Sequence, residues 1–226
     1  MRFETDCKED RQTNRGATAM RVIETEADID EGVAFLQNRE PRFALAIEKA
    51  GFPPLRRRET GFGSLLRIII DQQVSVAAGA AIWRRVEAGG ATTPAAVLRR
   101  DIEALRELGL SRPKARAAIA VAEAIEDGRL CFTRQSQLPY EDAFKEMVAL
   151  KGIGPWTAQI YHMFCEGRAD ILAAGDHALQ ESARILFALD ERPKAKELAQ
   201  MAEPWSPWRG VAARILWSYY RVRMLS

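Results

Sequence analysis

Cysteine is scarce in this 226-residue chain: three residues, at positions 7, 131 and 165, too few and too scattered for a disulfide framework. No CxxC pair occurs, which argues against a cysteine-based zinc or iron–sulfur site. Histidine is scarcer still, with His162 and His177 alone, so there is little room for a His-rich metal site. No apolar run approaches the roughly 18 residues of a membrane span, and the densest stretch, Leu65 to Ile70, is interrupted by Arg67. The first 20 residues are polar and lack the apolar core of a signal peptide. Glu4, Asp6, Glu9 and Asp10 argue against an organelle transit peptide. Residues 1–20 are expected to be a disordered tail, and Met20 could be the true start.

What is present is the composition of an ordinary soluble protein, 47% hydrophobic and 28% charged. The length suits one large domain or two small lobes sharing a cleft. A net charge of +2 does not by itself imply nucleic acid. Of the 33 basic residues 26 are Arg, whose planar fork suits phosphate, though codon composition explains the bias equally well. From Glu26 on, Ala, Leu, Ile, Arg and Glu dominate, and β-branched alternation is scarce. Gly and Pro punctuate at helical intervals, giving about ten helices and no sheet. Pro41 opens one helix; Gly51-Phe52-Pro53-Pro54 is a break, followed by a basic turn, Arg56-Arg57-Arg58. Ser64 is a good N-cap for a long apolar helix reaching about Val86. Thr93-Pro94 starts the next, with the hydroxyl as cap and Pro at the first helical position.

Between two helical segments lies Leu150-Lys151-Gly152-Ile153-Gly154-Pro155. Two glycines two apart allow a sharp turn and let backbone N–H groups face outward without a Cβ in the way. Ile153 can plug the space between the helices, and Pro155 suits the first position of the second. Together with Lys151 the segment makes an anion-binding nest suited to a nucleic-acid phosphate. A plain Gly-rich helix–helix turn is the simpler alternative. Further on, Gly175-Asp176 precedes an apolar-periodic helix. Asp176 reads either as an N-cap or as a carboxylate pointed at a cleft, and the two are compatible because the cap geometry would orient it.

These segments, in this order, resemble the helix-hairpin-helix DNA glycosylases, and within them the 3-methyladenine DNA glycosylase II branch. The resemblance covers most of residues 30–222. It is carried by Ile69-Ile70-Asp71-Gln72-Gln73-Val74-Ser75-Val76-Ala77-Ala78, by Gly109-Leu110-Ser111-Arg112-Pro113-Lys114-Ala115, by the hairpin running on into Trp156-Thr157-Ala158, and by Gly175-Asp176. A weaker match is Pro204-Trp205-Ser206-Pro207-Trp208-Arg209 with Ile215-Leu216-Trp217. The chain departs from the family in having Lys151 where the hairpin usually has Pro. It also carries Trp156 where strand-cutting members carry a lysine. Trp156 cannot form a Schiff base.

The resemblance implies an all-α fold of two helical lobes flanking a cleft, with a helix-hairpin-helix motif. One lobe is expected from about residues 60–150 and the other from the N-terminal and C-terminal helices of a unit spanning 21–226. It implies a monofunctional glycosylase that hydrolyses the N-glycosidic bond of alkylated purines such as 3-methyladenine in duplex DNA. Asp176 is the expected catalytic carboxylate, and His177 beside it is a capping or phosphate-facing residue. Trp156 and Trp217 are the expected pocket aromatics, since an electron-rich ring attracts a cationic base; Tyr161 is a looser candidate. DNA contacts are expected from Gln72, Gln73, Lys151, Gly152, Ile153, Gly154 and Thr157, with Gln73 filling the gap left by the extruded nucleotide. Asp71 is expected to be a structural hydrogen-bonder, and Trp205 and Trp208 core aromatics. No metal or cofactor is expected beyond a monovalent cation that the hairpin could hold. The expected partner is damaged duplex DNA and not a membrane. The chain is expected to be a monomer, in the nucleoid-bearing cytoplasm of a bacterium or the nucleus of a eukaryote. Two other readings stay open: a helix-hairpin-helix protein that binds without catalysis, and a glycosylase for mismatched or deaminated bases.

Overall fold

Single residues set several of the helix boundaries. The computed structural model describes residues 20–225, so the tail expected over residues 1–20 lies outside the described residues, apart from Met20. In chain order the helices are α1 (Glu26–Arg39), α2 (Arg42–Ala50), α3 (Phe62–Asp71), α4 (Val76–Ala88), α5 (Pro94–Leu98), α6 (Ile102–Glu107) and α7 (Arg112–Glu126). Then follow α8 (Phe132–Gln137), α9 (Tyr140–Val148), α10 (Pro155–Phe164), α11 (His177–Leu186), α12 (Ala195–Met201), a 3₁₀ turn (Glu203–Trp205) and α13 (Arg209–Leu225). Among the described residues there is no strand, and an isolated bridge joins Val22 to Arg168. The expected all-α class is the class observed.

Local chemistry accounts for several starts. Thr93 Oγ1 accepts from Ala96 N at 3.2 Å with Pro94 in the first turn, as the Thr-Pro pair predicts. Asp101 Oδ1 does the same for Ala104 N at 2.8 Å. Pro41 precedes α2 directly.

The structure corrects one long element. The helix expected to run from Ser64 to about Val86 is two helices, and it begins at Phe62, so Ser64 lies inside α3 rather than capping it. The chain leaves α3 at Gln72 (ψ 127°), passes through Gln73 in the left-handed region (φ 53°), and restarts at Ser75. Ser75 Oγ caps α4 by accepting from Ala78 N at 3.2 Å. Apolar periodicity continues across the break with no Gly or Pro to mark it, and the Ser75 cap is the signal that the run conceals. The short helix α8 was also not anticipated.

The described chain divides into two compact units. In the unit from Glu59 to Tyr161, α3 packs on α4 and α7, and α7 also packs on α5 and α6. Leu65, Leu66, Ile68, Ile69 and Ile70 of α3 are buried, as are Ala115, Ala118, Val121 and Ala122 of α7. Each large aliphatic side chain so buried is worth about 1.5–3 kcal/mol, and the small alanines leave room for it.

The other unit joins the segment ending at Arg58 to the segment beginning at His162, so the boundary falls within α10. Here α13 packs against α1, α2 and α11. Phe43 sits edge-on to Phe187 and Trp205, with ring centroids 6.0 and 5.2 Å away. Trp205 and Trp208 are buried core aromatics, as expected. His162 Nδ1 lies 2.8 Å from Glu166 Oε2, which also accepts from Arg168 Nε at 2.5 Å. That places His162 in a buried ionic network rather than at a surface site.

Candidate active site and DNA interface

The hairpin lies between α9 and α10. Its two glycines do different work. Gly152 has φ 87°, and a Cβ there would fall 2.4 Å from Ala117 Cβ on α7. It is needed both for the turn and for close packing. Gly154 has no such backbone demand and nothing within 4 Å of its Cβ position, so its contribution is open space on the outside of the turn. Ile153 is 4% exposed and plugs the interior, with its N–H donating to Leu150 O at 3.0 Å. Lys151 is exposed beside them. The positive end of α10 adds to its charge.

Gln72 and Thr157 meet. Gln72 Nε2 donates to Thr157 Oγ1 at 2.7 Å and lies 3.5 Å from Gly152 O. Thr157 is 2% exposed, so the structure gives it an internal role: it positions Gln72 instead of presenting a hydroxyl to DNA. Gln72 in turn ties the α3–α4 turn to the hairpin, and Gln73 is the exposed glutamine of the pair. Two further groups hold this turn. Arg67 Nε donates to both Asp71 oxygens at 3.1 Å, which makes Asp71 the structural hydrogen-bonder it was expected to be. Lys114 Nζ donates to Ile70 O at 2.8 Å, closing the end of α3, and burial pushes the Lys114 ammonium below its usual range. The role of Lys114 was not read from the sequence, because its partner is 44 positions away.

Among the aromatic candidates, Tyr161 is wholly buried at 0% exposure. Its ring packs on Phe132, centroids 5.3 Å apart, and its hydroxyl accepts from Gly61 N at 2.8 Å at the start of α3. It is a core residue of its unit and offers no surface to an extruded base. Trp156, at the start of α10, is half-buried.

Asp176 is the N-cap of α11. Its Oδ1 accepts from Ala178 N at 2.9 Å and Leu179 N at 3.1 Å. The same oxygen accepts from the indole Nε1 of Trp217 at 3.1 Å. Three donors converge on one carboxylate oxygen, which locks its rotamer, and the residue remains only half-buried. Gln180 Nε2 donates to Ala174 O at 2.9 Å and braces the segment before the cap. The Trp217 ring is half-buried and faces Phe164, centroids 5.7 Å apart. Phe164 is a residue that sequence reasoning missed; only the aromatic type at the end of α10 signals it. His177 is exposed and its ring contacts the Arg192 guanidinium. Among the described residues no group of three or more His, Cys, Asp or Glu side chains could hold a metal ion.

Residues 66–207 match the model of the HhH-GPD superfamily base excision DNA repair protein. A DNA-3-methyladenine glycosidase from Bacillus halodurans is 33% identical, with 89% of this chain and 93% of that chain covered at a TM-score of 0.72. The 3-methyladenine DNA glycosylase Mag1 of Schizosaccharomyces pombe, solved in complex with abasic DNA, is 25% identical, with 83% and 95% covered at a TM-score of 0.76. The alkylbase DNA glycosidase-like protein mag2 of the same yeast is 28% identical over 162 residues, 69% of this chain and 76% of the relative. The family match spans more than half of the chain and contains both the hairpin and the Asp176 cap: this chain belongs to the HhH-GPD superfamily of base excision DNA repair proteins.

Proposed function

We propose that this protein is a monofunctional DNA glycosylase that removes alkylated purines such as 3-methyladenine from duplex DNA. The observation that carries this is the locked carboxylate of Asp176, held by two helix N–H groups and the Trp217 indole.

The chemistry needs little else from the protein. When the C1′–N bond breaks, its electron pair leaves with the base and neutralises the charge of the alkylated purine. The sugar gains oxocarbenium character, and a fixed negative group stabilises it without reorganising. Water then adds to C1′ and gives up a proton, for which the Asp176 carboxylate is the available base. An alkylated purine is already a good leaving group, so no strong general acid is required. Trp217, bonded to Asp176, supplies aromatic surface of the kind that attracts a cationic base, worth about 0.5–2 kcal/mol.

The base must first leave the stack. Gln73, exposed on its left-handed turn, is the side chain that takes its place. The hairpin grips backbone phosphates through Lys151 and the outward face at Gly154, and its carbonyls would take a monovalent cation. Trp156 has no amine to attack C1′, so the product is an intact abasic strand. The enzyme works as a monomer in the compartment that holds the genome.

The deciding experiment is incubation with methylated duplex DNA and identification of the released bases. Release of methylpurines is expected. Release of uracil or hypoxanthine instead would move the protein to the glycosylases of deaminated bases. Binding without release of any base would make it a DNA-binding protein.

A further inference from the structure

The turn between α3 and α4 is anchored at three successive residues. Lys114 Nζ, from α7, donates to Ile70 O at 2.8 Å, one of the last four carbonyls of α3, which the helix itself does not satisfy. Next to it, Asp71 accepts from Arg67 Nε at both oxygens, and the Arg67 guanidinium lies 5.6 Å from the centre of the Trp83 ring. Then Gln72 Nε2 donates to Thr157 Oγ1. Gln73 follows with φ 53°, a backbone that a non-glycine residue holds at a cost and only where its surroundings over-determine it. On the other side, α4 closes on the same turn: Gly79 is buried, and a Cβ there would fall 2.4 Å from Asp71 Oδ1.

A lysine near a DNA-facing edge ordinarily places its ammonium on a phosphate. Lys114 instead donates to a backbone carbonyl, beside the carboxylate of Asp71, which attracts it. The anchored residues Ile70, Asp71 and Gln72 are buried or half-buried, while Gln73 next to them is exposed. A fixed base and an exposed tip suit a side chain that fills a gap in a base stack. The conformer that reaches the gap is then already populated, and its ordering is not subtracted from the free energy of extrusion.

We propose that Lys114 is a positioning residue for base extrusion: through Ile70 O it holds Gln73 in its left-handed conformation, and it touches neither base nor phosphate. Asp71, held against Gly79, does the same from the α4 side. The inference rests on the reading of Gln73 as the side chain that takes the place of the extruded nucleotide. Without the tie, Gln73 relaxes to ordinary backbone. The fraction competent for insertion then falls by about 10–100-fold, the factor that corresponds to the usual cost of such a backbone.

The test uses the full chain and two variants. Lys114→Met keeps the apolar stem and removes the donor. Gly79→Ala displaces Asp71 while raising the helix propensity of α4, and carries the same test should Lys114→Met fail to fold. Each is mixed with duplex DNA carrying a methylated purine beside 2-aminopurine, whose fluorescence rises as the stack opens, and base release is followed in a single turnover. Opening and release are expected to slow by about 10–100-fold when the lesion is paired. They should slow much less when it lies opposite an abasic analogue, where extrusion costs less. Neither variant should add to the defect of Gln73→Ala, and the slope of log K against log salt should keep its wild-type value. A slope flattened by about 0.9 in Lys114→Met would make the lysine a phosphate contact and overturn the proposal. Equal slowing on both duplexes, full additivity with Gln73→Ala, or wild-type opening rates in a folded Lys114→Met would overturn it too. A wild type that opens the stack without releasing a base, with the variants slowing that opening, would sink the glycosylase reading and leave the role of Lys114 standing. A wild type that never opens the stack overturns that role.

Discussion

The indole N–H of Trp217 and the first-turn amides of α11 share one acceptor, Asp176 Oδ1, with the indole at 3.1 Å. A residue 41 positions away thereby helps to aim a helix cap. Asp176→Asn keeps an oxygen for all three donors, and Asn caps as well as Asp. The variant should unfold at nearly the wild-type temperature and still bind lesion DNA. Excision should fall by about 10²–10³, the usual cost of one well-placed electrostatic group. Wild-type excision rates in a single-turnover assay would reduce Asp176 to a cap.

Trp217→Phe keeps the aromatic ring and removes the N–H. Asp176 keeps its two helix donors, so α11 should persist. The carboxylate loses its indole restraint, and the single-turnover rate should drop while binding of the abasic product changes little. Equal losses in both would show that the ring, not the bond to Asp176, is what matters.

The two hairpin glycines should respond oppositely to Ala. Gly152→Ala meets Ala117 Cβ and a left-handed φ, and should cost about 1–3 kcal/mol of stability, read as a lower denaturation midpoint. Gly154→Ala meets nothing within 4 Å, so stability should hold while affinity for all duplexes weakens alike. Unaltered DNA affinity in Gly154→Ala would remove the outward face of the turn from the interface.

If the resemblance holds and Trp156 takes the place of the lysine of strand-cutting members, borohydride should trap no covalent adduct with DNA, and the abasic strand should run at full length on a denaturing gel. Efficient trapping would assign a lyase step to another amine.

Asp170 accepts from Arg209 Nε at 2.6 Å, from Arg209 Nη2 at 2.7 Å and from Ser206 Oγ at 2.8 Å. Burial alone would raise its carboxyl, but these bonds outweigh it and hold the group below its usual 3.8. A depressed acid stabilises the fold above that value, and the contribution is lost as pH falls through the folded-state pKa. Asp170→Asn should therefore lower Tm at neutral pH, and its curve should converge on the wild type below about pH 4. A constant gap down to pH 2 would show that shape rather than charge is what Asn fails to supply.

Features that depend on neighbours a few residues apart are legible in the chain alone. Asp176 as a cap, Thr93-Pro94 as a helix start, Ile153 as the plug of the hairpin and the helical class were legible because caps, turns and periodicity act within one or two turns of chain. The remaining features depend on long-range packing. The break at Gln72 and Gln73 escaped because the apolar period runs through it; what holds the turn is the distant set of Thr157, Lys114 and the Arg67–Asp71 pair. Tyr161 reads as a pocket aromatic until its hydroxyl is found on Gly61, 100 residues away. Trp217 could be matched to a pocket, but not bonded to Asp176, from spacing alone. Such contacts depend on which helix faces which, and packing of the whole unit sets that: a side chain's type is local, while its partner is chosen by whatever the fold brings within hydrogen-bond reach.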